Sequence, residues 1–126
     1  MIYEIALLPV RKEHLDTFTD AFARVAPLLA RAKGYGGHLL AQGIETPEVF
    51  NLIVRWSSLE DHRLGFEPSE DHQTFMAGLE AYLAGEPTVY HVAERGGDQA
   101  SSQTNAAQSI TLYPFDSVGE GAYDKR

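Results

Sequence analysis

Apolar and polar residues alternate along this chain with two different periods, and the switches between them mark its elements. Residues 2–8, "IYEIALL", are rich in β-formers and predict a strand closed by Pro9. Next, Leu15, Phe18, Phe22, Val25 and Leu29 recur at spacings of three and four, the stripe of an amphipathic helix. Pro27 lacks the amide that would bond back to Ala23, so the helix should kink there or restart with Pro27 in its first turn. Gly34, after Lys33, supplies its stop. "YGGHLLAQGI" (35–44) predicts a second strand whose glycines permit a bend, "ETPE" a turn, and 49–56 a third strand paired with the second as an antiparallel hairpin. Ser57 and Glu60 have the spacing of a capping box at a helix start. That helix should break at "FEPSED", where Pro68 stops one segment and Ser69 caps the next. Phe75, Leu79, Tyr82 and Leu83 form the apolar face of this second segment, and "PTVYHVAE" (87–94) predicts a fourth strand.

The order β-α-β-β-α-β is that of an α+β, ferredoxin-like unit, with both helices on one face of a four-stranded antiparallel sheet. The other face is left bare, and a half-apolar sheet of that size calls for a partner, which predicts a homodimer with the sheets face to face. The unit should occupy residues 1–94. Residues 95–126 form a C-terminal tail, with a polar linker at 95–109 and an apolar docking segment at 110–118, whose "ITLYPF" is expected to pack on the other subunit.

Composition narrows the chemistry. The chain has 126 residues and no cysteine, which excludes structural disulfides, thiol catalysis and cysteine-held metal, and fits a cytoplasmic protein. The first apolar run is too short for a signal peptide, and nothing approaches the roughly 20 apolar residues of a membrane span. Net charge is -8, and residues 1–94 already hold seven Lys/Arg against fourteen Asp/Glu. An acidic domain repels phosphate backbones, so no nucleic-acid partner is expected.

Alternation in the third strand puts Phe50, Leu52, Val54 and Trp56 under the helices. Val49, Asn51, Ile53 and Arg55 then face a partner sheet or solvent. Trp56, the single tryptophan, falls at the strand's end, at the mouth of any pocket between sheet and helices. His62 lies about one turn into the next helix and shares a face with Phe66, where it can serve as an acid, a base or a donor. His72, in an acidic run, is expected to be exposed. His38 and His91 lie inside strands, either lining a cavity or buried with a hydrogen-bond partner. No two histidines have the helical spacing of zinc hydrolases, so no metal is expected. Phosphate-binding glycine loops and nucleophile elbows are absent from the sequence.

The strand ending "VRW", the following "SSLEDHRLGFEPSEDHQTF", "KGYGGHLL" and "PTVYHVAE" together resemble the antibiotic-biosynthesis monooxygenase family of dimeric α+β barrels, over about residues 1–94. The resemblance implies a homodimer with one cavity per subunit and oxidation of small aromatic, phenolic substrates by molecular oxygen without metal or flavin. An electron-rich phenolate or carbanion can itself reduce oxygen, so the protein need only deprotonate it, hold it and stabilise the oxyanion. Trp56 matches the family's tryptophan, and with His62 it is the expected catalytic pair. Phe18, Phe22, Leu52, Phe66 and His91 are expected to bind substrate, with Asn51, Tyr3 and His38 as further candidates. Leu52 stands where members with a strand asparagine carry it, and the first strand offers Tyr3 and Glu4. Other roles for the fold are a non-catalytic small-molecule-binding or stress-related dimer, isomerisation or cyclisation of a polyketide, and haem degradation with His62 or His72 on the iron.

Overall fold

The computed structural model describes residues 1–98. The expected docking segment at 110–118, and the linker beyond residue 98, lie outside the described residues. Four strands, β1 (Ile2–Pro9), β2 (Tyr35–Gln42), β3 (Val49–Trp56) and β4 (Thr88–Ala93), make one antiparallel sheet in the order β2-β3-β1-β4. Helices α1 (Phe18–Ala30) and α2 (Glu70–Ala77) pack together over one face. This is the ferredoxin-like α+β arrangement that the alternation predicts.

Inward residues of β3 make the floor of the core. Phe50, Leu52, Val54 and Trp56 are all buried, and each such side chain contributes about 1.5–3 kcal/mol by leaving water. Phe18, Phe22, Val25 and Leu29 of α1 close over them, with Phe75, Leu79 and Leu83 from the second helical region. The outward residues of β3 remain half-buried.

Three local features differ from the expected ones. α1 starts at Phe18 after a short 3-10 turn at Lys12–His14, and it runs unbroken through Pro27. The proline falls near the helix end, where one missing amide bond is offset by the burial of Leu29 and the partial burial of Leu28. Ile44 lies outside β2 and is exposed. Ser58, rather than Ser57, caps the segment after β3 by accepting from the Asp61 amide at 3.1 Å. That segment is a wide π-helical turn, Asp61–Phe66, in which the Glu67 amide donates to the His62 carbonyl five residues back.

Gly34 ends the α1 region as expected, at φ +86°, a left-handed conformation that disfavours any side chain. Its carbonyl accepts from the Ser57 amide at 2.8 Å, which ties the helix exit to the end of β3. Ser69 caps α2, its Oγ accepting from the His72 amide at 3.1 Å and donating to the Phe66 carbonyl at 2.6 Å. These two ties fix the ends of the wide turn over the sheet.

Candidate functional site

The inward row of β1 reads Ile2, Glu4, Ala6, Leu8, a single carboxylate among apolar neighbours. Glu4 pairs across the ladder with Val54 of β3 and His91 of β4. Trp56, opposite Ile2, reaches Glu4 diagonally, and its indole N–H donates to Glu4 Oε1 at 3.1 Å. From above, the wide turn brings His62 Nε2 to 3.3 Å from the same oxygen. The His62 ring stacks on Trp56, with centroids 5.2 Å apart, and its Nδ1 lies 2.8 Å from His91 Nε2. Glu4, His62 and Trp56 are buried, and His91 is half-buried on the edge strand. A continuous line of polar atoms thus runs from Trp56 through Glu4 and His62 to His91.

Burial sets the protonation of this line. It pushes Glu4 from 4.5 up to about 7; the Trp56 N–H opposes that shift, and the Glu67 charge adds to it. Burial likewise pushes His62 from 6.5 down to about 4, with Glu67 opposing and His91, His72 and Arg63 reinforcing. His91 and His72 are also lowered by burial. At neutral pH the imidazoles are therefore uncharged, while Glu4 exchanges its proton near that same pH. A carboxyl tuned in this way is suited to general acid–base work.

Glu4 and His62 form part of the wall of a cavity of about 170 Å³ between sheet and helices. Its apolar walls include Leu29, Leu52, Phe66 and Phe75, and His72 and Glu67 add polar groups. Val89 on β4 also lines it and is 40% exposed, so the cavity reaches the surface beside that strand.

The expected site residues separate into three groups. His62, Leu52 and Phe66 line the cavity, and His91 joins it through His62. Trp56 is fully buried behind Glu4 instead of standing at the mouth, because its ring fills the space under the wide turn. Phe18 packs on Phe50 in the core, with centroids 4.9 Å apart, and Phe22 lies between His38 and Phe75. His38 is buried, 2.6 Å from the Tyr35 hydroxyl. Asn51 and Tyr3 are on the outward face of the sheet, where the Tyr3 hydroxyl donates to Glu94 at 3.5 Å. His72 is not exposed as expected. The Ser69 cap turns it inward against Phe66, ring edge to face at 5.3 Å, and it lines the cavity.

Glu4, noted in the sequence only as one of two residues that the first strand offers, is the site residue to which no role was given. The signal was present: a carboxylate at an inward position of an otherwise apolar strand must either be paired or hold a proton. Among the described residues no group of three or more His, Cys, Asp or Glu is placed to hold a metal ion. The site does not fit a haem either. Both His62 nitrogens already face partners, and the cavity is well below the ~300–1,000 Å³ of ordinary ligand clefts.

Residues 1–78 match the antibiotic biosynthesis monooxygenase family, and the chain belongs to it. An uncharacterized Bacillus subtilis protein, YczJ, is 36% identical over 91 residues, covering 72% of this chain and 96% of the relative. The crystal structure of a Bordetella bronchiseptica protein assigned to the same family is 31% identical, with a TM-score of 0.71. It spans 75% of this chain and 96% of its own. SnoaB, a cofactor-independent oxygenase from Streptomyces nogalater, shares the fold at a TM-score of 0.64 and 18% identity, over 76% of this chain and 94% of its own. Among the described residues no helix is long and apolar enough to cross a membrane.

Proposed function

We propose that this protein is a cofactor-independent oxygenase that oxidises a small aromatic, phenolic compound with molecular oxygen. The observation that carries the reading is the buried Glu4–His62 pair on the wall of an otherwise largely apolar cavity. An activated methylene of the substrate gives up a proton, and the carbanion passes electrons to oxygen to form a peroxide. Loss of water then leaves a carbonyl, so that one methylene and one molecule of oxygen become one carbonyl and one water. The substrate supplies every electron, so the chain has only to bind, orient and move protons. SnoaB, of the same fold, is a cofactor-independent oxygenase, which supports this reading.

Roles follow from position. Leu52, Phe66 and Phe75 grip the ring, and His62 holds the Glu4 carboxyl in the cavity wall. Trp56 acts through the Glu4 carboxyl that it holds. The working form is a cytoplasmic homodimer joined through the outward sheet face, where Tyr90 and Val92 are exposed.

Oxygen uptake by the metal-stripped protein tests this. With one-, two- and three-ring phenols, anthrone among them, uptake should exceed autoxidation for at least one compound and survive added chelator. In Trp56→Phe it should fall about tenfold or more. Uptake at the no-protein rate with every compound would sink the oxygenase and leave a binding cavity.

A further inference from the structure

Glu4 Oε1 accepts from Trp56 and faces His62 Nε2, and both of these contacts fall on that one oxygen. Oε2 is thereby left for a substrate. Beyond His62 the line continues to His91 Nε2, on the half-buried edge strand. A carboxyl placed in a cavity needs a way to lose the proton it gains, because apolar walls cannot relay one.

We propose that Glu4 is the general base of this site, and that His62 and His91 are the path by which its proton reaches solvent. The inference rests on the oxygenase reading for the steps after proton removal, but not for the removal itself. For the relay His62 carries its proton on Nδ1 and donates to His91 Nε2, so that its Nε2 is free to accept from Glu4. When Glu4 takes a proton from substrate, the electron pair stays on the substrate. Glu4 then passes that proton to His62 Nε2 as Nδ1 releases its own to His91, and His91 delivers one to water. The number of protons on the line is restored at each turnover.

The surroundings also select the ligand. A cavity of about 150 Å³ walled by apolar side chains takes benzene, so this one of about 170 Å³ takes one aromatic ring, with a small second ring reaching toward its opening beside Val89. Glu67 beside Glu4 and the acidic domain repel anions, so the substrate enters uncharged. Its acidic C–H or O–H must be adjacent to the ring. Charged, titratable and hydrogen-bonding groups face the line from each element around it: Trp56 from β3 and Glu67, just after the wide turn, act on Glu4, while Glu67, His91 from β4, His72 from α2 and Arg63 from the turn act on His62.

Hydrogen exchange of 2-indanone, a two-ring ketone with acidified methylenes, tests the base without oxygen. In D2O buffer under argon, the full-length protein should speed loss of the methylene proton signal in nuclear magnetic resonance, increasingly so as pH rises through about 7. Glu4→Gln, with an unchanged circular dichroism spectrum, should lose about 100- to 10,000-fold of that rate. His91→Asn should keep the KM and the pH midpoint but lower kcat, because protons trapped on Glu4 return to the same carbon. Exchange by Glu4→Gln at the parent rate, or parent exchange no faster than buffer at saturating 2-indanone, overturns the proposal. The two readings separate cleanly. Exchange under argon with oxygen uptake never above control keeps Glu4 and removes the oxygenase, whereas undiminished oxygen uptake in Glu4→Gln does the reverse.

Discussion

Glu4 and His62 pull the pH dependence of stability in opposite directions. Unfolded Glu4 titrates at 4.5 and folded Glu4 at about 7, so the folded chain keeps a proton that the unfolded chain has released. Its contribution to stability is present in full below 4.5 and is lost as pH rises to 7, on the order of 3 kcal/mol. His62 runs the other way. With 6.5 unfolded and about 4 folded, its contribution is present above 6.5 and is lost as pH falls to 4. The two slopes oppose each other between 4.5 and 6.5, so the pair leaves stability nearly level there. Relative to the parent, Glu4→Gln should lose stability faster as pH falls through that window, and His62→Gln should gain it. Urea unfolding between about pH 4 and 8 would show this, and parallel curves for all three proteins would rule out the opposition.

At the scale of elements, the strands and the two helices were legible because each has a period. The inward set Phe50, Leu52, Val54 and Trp56 could be read directly from alternation. The wide turn could not, since a bond from the Glu67 amide to the His62 carbonyl shifts the helix by one residue without leaving any mark in side-chain pattern. The site was only partly legible for a related reason. Glu4, Trp56, His62 and His91 come from four separate segments, and only the sheet register and the turn bring them together. His72 was misread because its neighbours are acidic, whereas the Ser69 cap decides which way it faces. Gly34 tests how far the turn depends on its anchor. A Cβ there would run into the Asp61 carboxylate at the first residue of the turn, and φ is +86°. Gly34→Ala should therefore cost ~1–3 kcal/mol in urea unfolding and slow turnover by displacing His62. Stability and rate both equal to the parent would mean that the turn is held from elsewhere.

Across the whole molecule, the sheet divides two tasks. Its inward face carries the core and the polar line, while its outward face carries Ile53, Tyr90 and Val92, the surface through which the proposed dimer forms. Ile53→Glu puts a charge at the middle of that face and leaves the cavity side untouched. In sedimentation it should shift the protein from dimer to monomer, and an unchanged mass would place the dimer contact elsewhere. Because the faces are separate, the cavity can change without disturbing the outward face. The wide turn gives that separation a genetic consequence. Just past its six residues, Asp61–Phe66, the amide of Glu67 bonds five residues back to His62, one residue more than an ordinary helical turn spans. Loss of a single codon there would restore an α-turn, rotate the histidine off the carboxyl and leave the sheet, the core and the outward face as they are. A deletion of one residue in this turn is therefore expected to remove the Glu4–His62 contact without changing any strand of the sheet.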